Sequence, residues 1–176
     1  MIKLLVFDVD GTLSDGKVYY SQSGEEIKSF DIRDGLAIAV WNRYLKRTSA
    51  IITGRVSQIV QTRASELGIE HIFMGVKDKG QVLQDLLQKL HLEPKEAACI
   101  GDDLNDLSMF KICPFAYMPK NGTKALKKYA YKKLKKRGGY GAVREMIEDV
   151  LALNGDKKLE KYFLENLCFF YRAFVF

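Results

Sequence analysis

No run of about 18 uncharged apolar residues occurs in the chain, so nothing in it is long enough to span a bilayer as a helix. No basic-then-apolar leader precedes its first hydrophobic stretch. Only three cysteines are present, Cys99, Cys113 and Cys168, an odd number without the close pairing of a zinc site or a disulfide framework. The two histidines, His71 and His91, are too isolated to suggest a metal cluster. A soluble, cytoplasmic protein with reduced thiols is expected. Internal repeats and low-complexity linkers are also missing from the 176 residues, whose 47% hydrophobic content suits a single sizeable core.

The charge is not balanced. A net charge of +6 favours acidic ligands without choosing among small phosphates, nucleic acids and anionic lipids. Much of the excess lies in 120–137, where Lys120, Lys124, Lys127, Lys128, Lys132, Lys133, Lys135, Lys136 and Arg137 crowd around Tyr129 and Tyr131. Such a segment can form a nucleic-acid patch. The reading preferred here is a solvated helix face whose field steers an anionic substrate.

The most informative stretch is Asp8-Val9-Asp10-Gly11-Thr12, which follows the apolar run Ile2, Leu4, Leu5, Val6 and Phe7. That run suits a strand buried on both faces of a parallel sheet. Burying Asp8 within the sheet would be costly, so the strand should end there and present its carboxylates at the sheet's C-terminal edge, where open α/β sheets bind ligands. Two carboxylates at i and i+2 beside the Thr12 hydroxyl fit phosphoryl transfer, one attacking phosphorus and the other moving protons. An anionic nucleophile facing an anionic phosphate requires a divalent cation and fixed positive donors.

Further along, residues 16–31 read as a β-hairpin and Asp34 as the cap of a helix through Leu36, Ile38, Val40, Trp41 and Leu45. Ala50-Ile51-Ile52-Thr53-Gly54-Arg55 is a strand with its exit turn. A helix near 56–67, a strand over 69–73 and a helix from Lys79 follow, then the strand Ala97-Ala98-Cys99-Ile100 running into Gly101-Asp102-Asp103, and a fifth strand near 115–118. Alternating strands and helices predict an α/β fold, a Rossmann-like doubly wound parallel sheet. Its strand ends would gather Asp8, Asp10, Thr53, Lys79 and Asp102 or Asp103 at one edge. The carboxylates would cage Mg²⁺, while Thr53 and Lys79 face the phosphate.

These segments resemble the haloacid dehalogenase superfamily of phosphatases, whose four motifs occur here in order: Asp8 to Thr12, Thr53, Lys79, and Gly101-Asp102-Asp103-Leu104-Asn105-Asp106. The resemblance implies Asp8 as nucleophile, Asp10 as acid and then base, and Mg²⁺ held by the Asp8 side chain, the Asp10 main-chain carbonyl and Asp102, with Asp103 and Asp106 in support. The gaps from Asp8 to Thr53 and from Lys79 to Asp102 are too short for a cap domain. The hairpin or a neighbouring subunit must then cover the site.

Further segments resemble a capless branch, the 3-deoxy-D-manno-octulosonate 8-phosphate phosphatases: Ser14-Asp15-Gly16, Gly24-Glu25-Glu26, Phe30-Asp31-Ile32-Arg33-Asp34-Gly35, and Gly138-Gly139-Tyr140-Gly141-Ala142-Val143-Arg144-Glu145. That likeness implies a sugar-acid phosphate substrate met by Thr12, Arg33, Gly54, Arg55 and Arg137, a role in lipopolysaccharide precursor synthesis, and a homotetramer with packed hairpins. It also implies a glycine-containing segment that helps close a neighbouring active site, although 138–141 reads equally as a plain loop. A nine-carbon sialic-acid-type 9-phosphate remains an alternative substrate, and a nucleic-acid-binding module on a vestigial phosphatase fold an alternative of another class. No nucleic-acid or membrane partner is expected. The phosphatase domain is expected over 1–155. Residues 156–176, whose Leu159, Tyr162, Phe163 and Leu167 fit an amphipathic helix, would form an extension docked on its own domain or a neighbour.

Overall fold

The computed structural model describes residues 1–165; the apolar end read from Leu167 to Phe176 lies outside the described residues. Strand β1 (Leu4–Phe7) is fully buried, as its unbroken apolar sequence requires. It lies between two parallel neighbours, β4 (Thr48–Ile52) and β6 (Ala97–Ile100). Outside β4 is β5 (His71–Phe73), and beyond β6 come β7 (Phe115–Met118) and a short edge strand, β8 (Lys132–Lys133). The order β5-β4-β1-β6-β7-β8 with every pair parallel is the doubly wound sheet that the alternation of strands and helices predicts. The chain winds outward from β1 on one side and crosses to β6 on the other, so the crevice where ligands bind such sheets opens between the ends of β1 and β6.

Residues along each strand alternate between two cores. Leu5, Phe7, Ile51 and Ile100 pack under α1 (Ile32–Ala39), α2 (Gln58–Leu67) and α5 (Ala142–Leu153), while Leu4, Val6, Ile52 and Cys99 pack under α3 (Lys79–Lys89) and α4 (Leu107–Ile112). Helix α6 (Leu159–Glu165) rests on the turn Val40–Tyr44, with the Tyr44 and Tyr162 rings 5.4 Å apart. Between β1 and α1 stands the hairpin β2 (Tyr19–Tyr20) and β3 (Glu26–Ile27), paired Tyr19 to Ile27 and Tyr20 to Glu26. It is the only insertion of that kind among the described residues, and no cap domain accompanies it. No helix among the described residues is long and apolar enough to cross a membrane.

Two expectations require correction. Helix α1 is capped by Asp31, whose carboxylate accepts from the Arg33 amide at 2.7 Å, and not by Asp34. Asp34 is buried in the first turn and reaches across to α5, accepting from the Gly141 amide at 3.3 Å and the Arg144 amide at 2.7 Å. It caps the other helix, and burial raises its pKa to about 6 against the pull of those amides. The basic run is not a helix face either. After tight turns over 124–130 it pairs briefly along the sheet, with the Tyr131 and Leu134 amides donating to the Ala116 and Met118 carbonyls of β7. That pairing satisfies an otherwise open strand edge, and lysines on the new edge discourage further pairing.

Candidate active site

The fold brings together the ends of β1 and β6 and the start of α3. Asp8 ends β1, its amide donating to the Ile100 carbonyl at 3.1 Å. The turn Val9–Leu13 then places Gly11 at φ +99°, and a Cβ there would lie 2.1 Å from Asp102 Oδ2. Glycine therefore both permits the turn and lets the Asp102 carboxylate close onto it. Lys79 opens α3 behind the cap Asp78, which accepts from the Gly80 and Gln81 amides. Its buried ammonium sits 2.6 Å from Asp8 Oδ1 and 2.6 Å from Asp106 Oδ1. The other Asp106 oxygen accepts from the Asp102 amide at 2.9 Å and the Asp103 amide at 3.2 Å, which folds the loop after β6 around it.

Carboxylate oxygens of Asp8, Asp102 and Asp106 all lie within 4.8 Å of one another. One ammonium against three carboxylates leaves a formal charge of −2 in a largely buried place. The protons respond to that excess. Burial, and then Asp106, raise the pKa of Asp8 to about 8 in spite of Lys79, and burial with Asp106 and Asp103 raises that of Asp102 to about 7. Burial opposes the charge on Lys79, but Asp8 and Asp106 outweigh it and hold the ammonium. A divalent cation fits this donor set, since hard oxygen ligands and a matching charge are what Mg²⁺ requires. Asp106 has both oxygens engaged, so Asp8 and Asp102 are the carboxylates left to face an ion.

Asp10 lies on the same turn, but its side chain points to the hairpin. Oδ1 accepts from the Lys28 ammonium, which also sits 3.2 Å from Glu26 Oε1. Glu26 in turn accepts from Arg55 at 2.6 Å and from the Ser57 hydroxyl at 3.1 Å. Thr53 is buried at the end of β4 with its amide on the Phe73 carbonyl, and Gly54 and Arg55 are exposed on the exit turn. The Thr12 hydroxyl is buried with no hydrogen-bond partner among the described residues. Arg137 joins Asp15, Lys17, Gly138 and Tyr140 around an open cavity of about 280 Å³. Arg33 is not brought to the Asp8, Asp102 and Asp106 group of its own chain: it is exposed and paired with Asp31 at 2.6 Å.

Lys28, Glu26 and Ser57 carry no role in the sequence reading. The alternation of Glu26 and Lys28 about the exposed Ile27 is the signal that could have found them, because it sets opposite charges on one face of a strand. The glycine segment meets the site of its own chain. A Cβ at Gly138 would lie 1.7 Å from the Gly11 carbonyl oxygen, and the Gly139 amide donates to the Thr12 carbonyl at 3.0 Å. Gly138→Ala should therefore displace the turn that carries Asp8 and Asp10. An ångström of misplacement costs about 10²-fold in turnover, to be checked by steady-state rates beside an unchanged far-UV CD spectrum.

An acidic crevice at the switch point of a doubly wound sheet, with a single lysine shared by two carboxylates, defines a class that comparison with known proteins makes specific. Residues 25–147 match the sequence profile of the family described as haloacid dehalogenase-like hydrolase. A 3-deoxy-D-manno-octulosonate 8-phosphate phosphatase from Yersinia pestis is 38% identical over 159 residues, covering 89% of this chain and 82% of that protein. Among solved structures, the phosphatase of that name from Moraxella catarrhalis, in complex with a magnesium ion, a phosphate ion and KDO, superposes with a TM-score of 0.86 at 39% identity, covering 93% of this chain and 92% of the other. The cobalt-bound phosphatase from Haemophilus influenzae gives a TM-score of 0.82 at 36% identity, covering 88% and 90%. The chain belongs to the haloacid dehalogenase-like hydrolases.

Proposed function

We propose that this hydrolase is a Mg²⁺-dependent phosphomonoesterase that cleaves 3-deoxy-D-manno-octulosonate 8-phosphate to the free sugar acid and phosphate, in the cytoplasm and in the service of lipopolysaccharide precursor synthesis. The observation that carries the reading is the charge deficit of −2 around Asp8, Asp102 and Asp106, with Lys79 as the one shared cation. Relatives that act on this substrate support the choice of sugar acid. Mg²⁺ on the Asp8 and Asp102 carboxylates and the Asp10 main-chain carbonyl would supply the positive charge that lets an anionic nucleophile meet an anionic phosphate.

The chain's own groups then divide the work. Asp8 attacks phosphorus, forming the aspartyl-phosphate as the bond to the sugar oxygen breaks, and the departing oxygen takes its proton from Asp10. In the second step Asp10 removes a proton from water as that water attacks phosphorus and frees Asp8. Lys79 orients Asp8, Asp106 fixes Lys79 and the loop amides, and Asp103 supports that loop. Thr53, Thr12 and the Gly54 exit turn meet the phosphate, while Arg55 and Arg137 at the mouth suit the sugar carboxylate. Val18, Tyr19, Tyr20 and Ile27 on the hairpin are exposed together with Ile32 and Val56, which favours self-assembly into a homotetramer in which Arg33 faces a neighbour's site. In this reading residues 1–155 are the catalytic domain, 156–176 are an extension docked on it or on a neighbour, and neither nucleic acid nor membrane is a partner.

The test is phosphate release with Mg²⁺ from octulosonate 8-phosphate, sialate 9-phosphate, a hexose phosphate and a 3′-phosphorylated oligonucleotide. The highest kcat/KM is expected for the octulosonate. A sialate preference would replace the substrate, and no release from any would overturn the reading.

Metal binding should also be visible in stability. The folded pKa values of Asp8 and Asp102, about 8 and about 7, lie above the ordinary 3.8. The metal-free fold thus holds protons that the unfolded chain releases, and it loses stability as pH rises from about 4 through 8. Mg²⁺ displaces those protons, so it binds more tightly at pH 8 than at pH 6. At about 100 times its Kd, Mg²⁺ should stabilise the fold by about 2.7 kcal/mol, a Tm rise of roughly 5–11 °C. Thermal melts at the two pH values check the sign.

A further inference from the structure

The described surface and interior hold one cation whose burial the proposed reaction does not yet explain. The Lys28 side chain is 1% exposed, although it springs from the base of a short hairpin most of whose residues face solvent. A buried ammonium is tolerated only where it is paired. Here its partners are Asp10 Oδ1 and Glu26 Oε1, and Glu26 is anchored by Arg55 and Ser57 from the turn after β4. The hairpin base is thus tied to the turns that follow both β1 and β4. Among the described residues no hydrogen bond engages Asp10 Oδ2.

The geometry points to Lys28 as a positioning residue for Asp10: it fixes Oδ1 and so aims the free Oδ2 at the leaving-group oxygen. Asp10 is the half-buried residue of an otherwise buried turn, so the packing that holds its backbone leaves its carboxylate to be aimed by a partner, and a carboxylate that transfers a proton must be held in line with its target. Glu26 keeps Lys28 seated, much as the partner of a catalytic base holds its ring in orientation. This inference rests on the phosphatase reading, in which Asp10 gives its proton to the sugar oxygen as the phosphorus–oxygen bond breaks and Asp8 takes the phosphoryl group.

Leaving-group dependence separates positioning from a merely structural role. A primary alkyl phosphate needs its departing oxygen protonated, whereas p-nitrophenolate leaves without help. In the metal-loaded enzyme, Lys28→Met should lower kcat/KM for the alkyl ester by about 10²-fold and for p-nitrophenyl phosphate by less than about 3-fold, since that bond breaks without the acid. Lys28→Arg, which keeps a cation at the position, should recover most of the alkyl-ester rate. Should Lys28→Met fail to fold, Glu26→Gln offers a milder loosening with the same expected direction of selectivity. Equal losses on the two esters, in whichever variant folds, would overturn the positioning role. Failure of the parent enzyme to hydrolyse either ester would overturn the phosphatase reading and this inference with it.

Discussion

Asp8→Asn is expected to lower phosphate release by about 10⁴-fold or more while leaving the fold intact. The amide keeps the shape of the carboxylate and can still meet the Lys79 ammonium through its carbonyl, but it cannot displace an alkoxide from phosphorus. Stability should respond in an unusual way for a buried charged position. With a pKa of about 8 in the metal-free protein, Asp8 is already mostly protonated at pH 7, so a neutral amide changes little. Tm without metal should stay within about 2 °C of the parent, and the rise on adding Mg²⁺ should shrink because one of its carboxylates is gone. Near-normal turnover in this variant would remove Asp8 as the nucleophile. Rates and melts measured on the same preparation separate the chemical loss from a folding loss.

Lys79→Met should have the largest effect on stability. It leaves Asp8 and Asp106 in the interior with no cation between them, and breaking a buried pair from one side costs several kcal/mol. Protonation of Asp8 relieves part of this, so the low end, about 3 kcal/mol, is expected, with a Tm fall of roughly 6–12 °C for a chain of this size. The sign with pH follows from the same groups. Without the ammonium Asp8 is raised further above its unfolded value, and the deficit relative to the parent should widen from pH 6 to pH 8. Equal melting temperatures at both pH values would show that Lys79 is not what compensates the acidic cluster. Activity should fall as well, since Asp8 loses the contact that orients it.

The doubly wound sheet was legible because its signals are local. Four apolar residues in a row before Asp8 can be buried on both faces only in a parallel sheet, and the spacing of Val143, Met146, Ile147 and Val150 commits one face of α5 to the core. Asp8, Lys79 and Asp102 could likewise be placed in advance, each standing at or near the end of an element the topology aims at one edge, whereas Asp106 enters only through the family resemblance. The basic run was misread because lysine content says nothing of what its backbone pairs with. The open edge of β7 decided that, and Leu126 and Leu134 turn inward where Lys132 and Lys133 do not. Asp34 was placed on the wrong helix for a similar reason. A carboxylate caps whichever free amides lie within reach, and those of Gly141 and Arg144 arrive from more than a hundred residues away.

The sequence by itself thus determined the order of the elements up to β7, the faces they bury and most of the acidic residues at the carboxyl edge, because periodicity, turn chemistry and the cost of burying charge act within a few residues. Only the tertiary structure decided how that group is wired: one ammonium shared by Asp8 and Asp106, Asp10 held from the hairpin by Lys28, Arg33 bound to Asp31 away from the carboxylates, and Gly138 pressed against Gly11. Ion pairs and close backbone approaches depend on distances of a few ångströms between segments far apart in the chain. Such distances are set when the two cores pack, and no local pattern carries them.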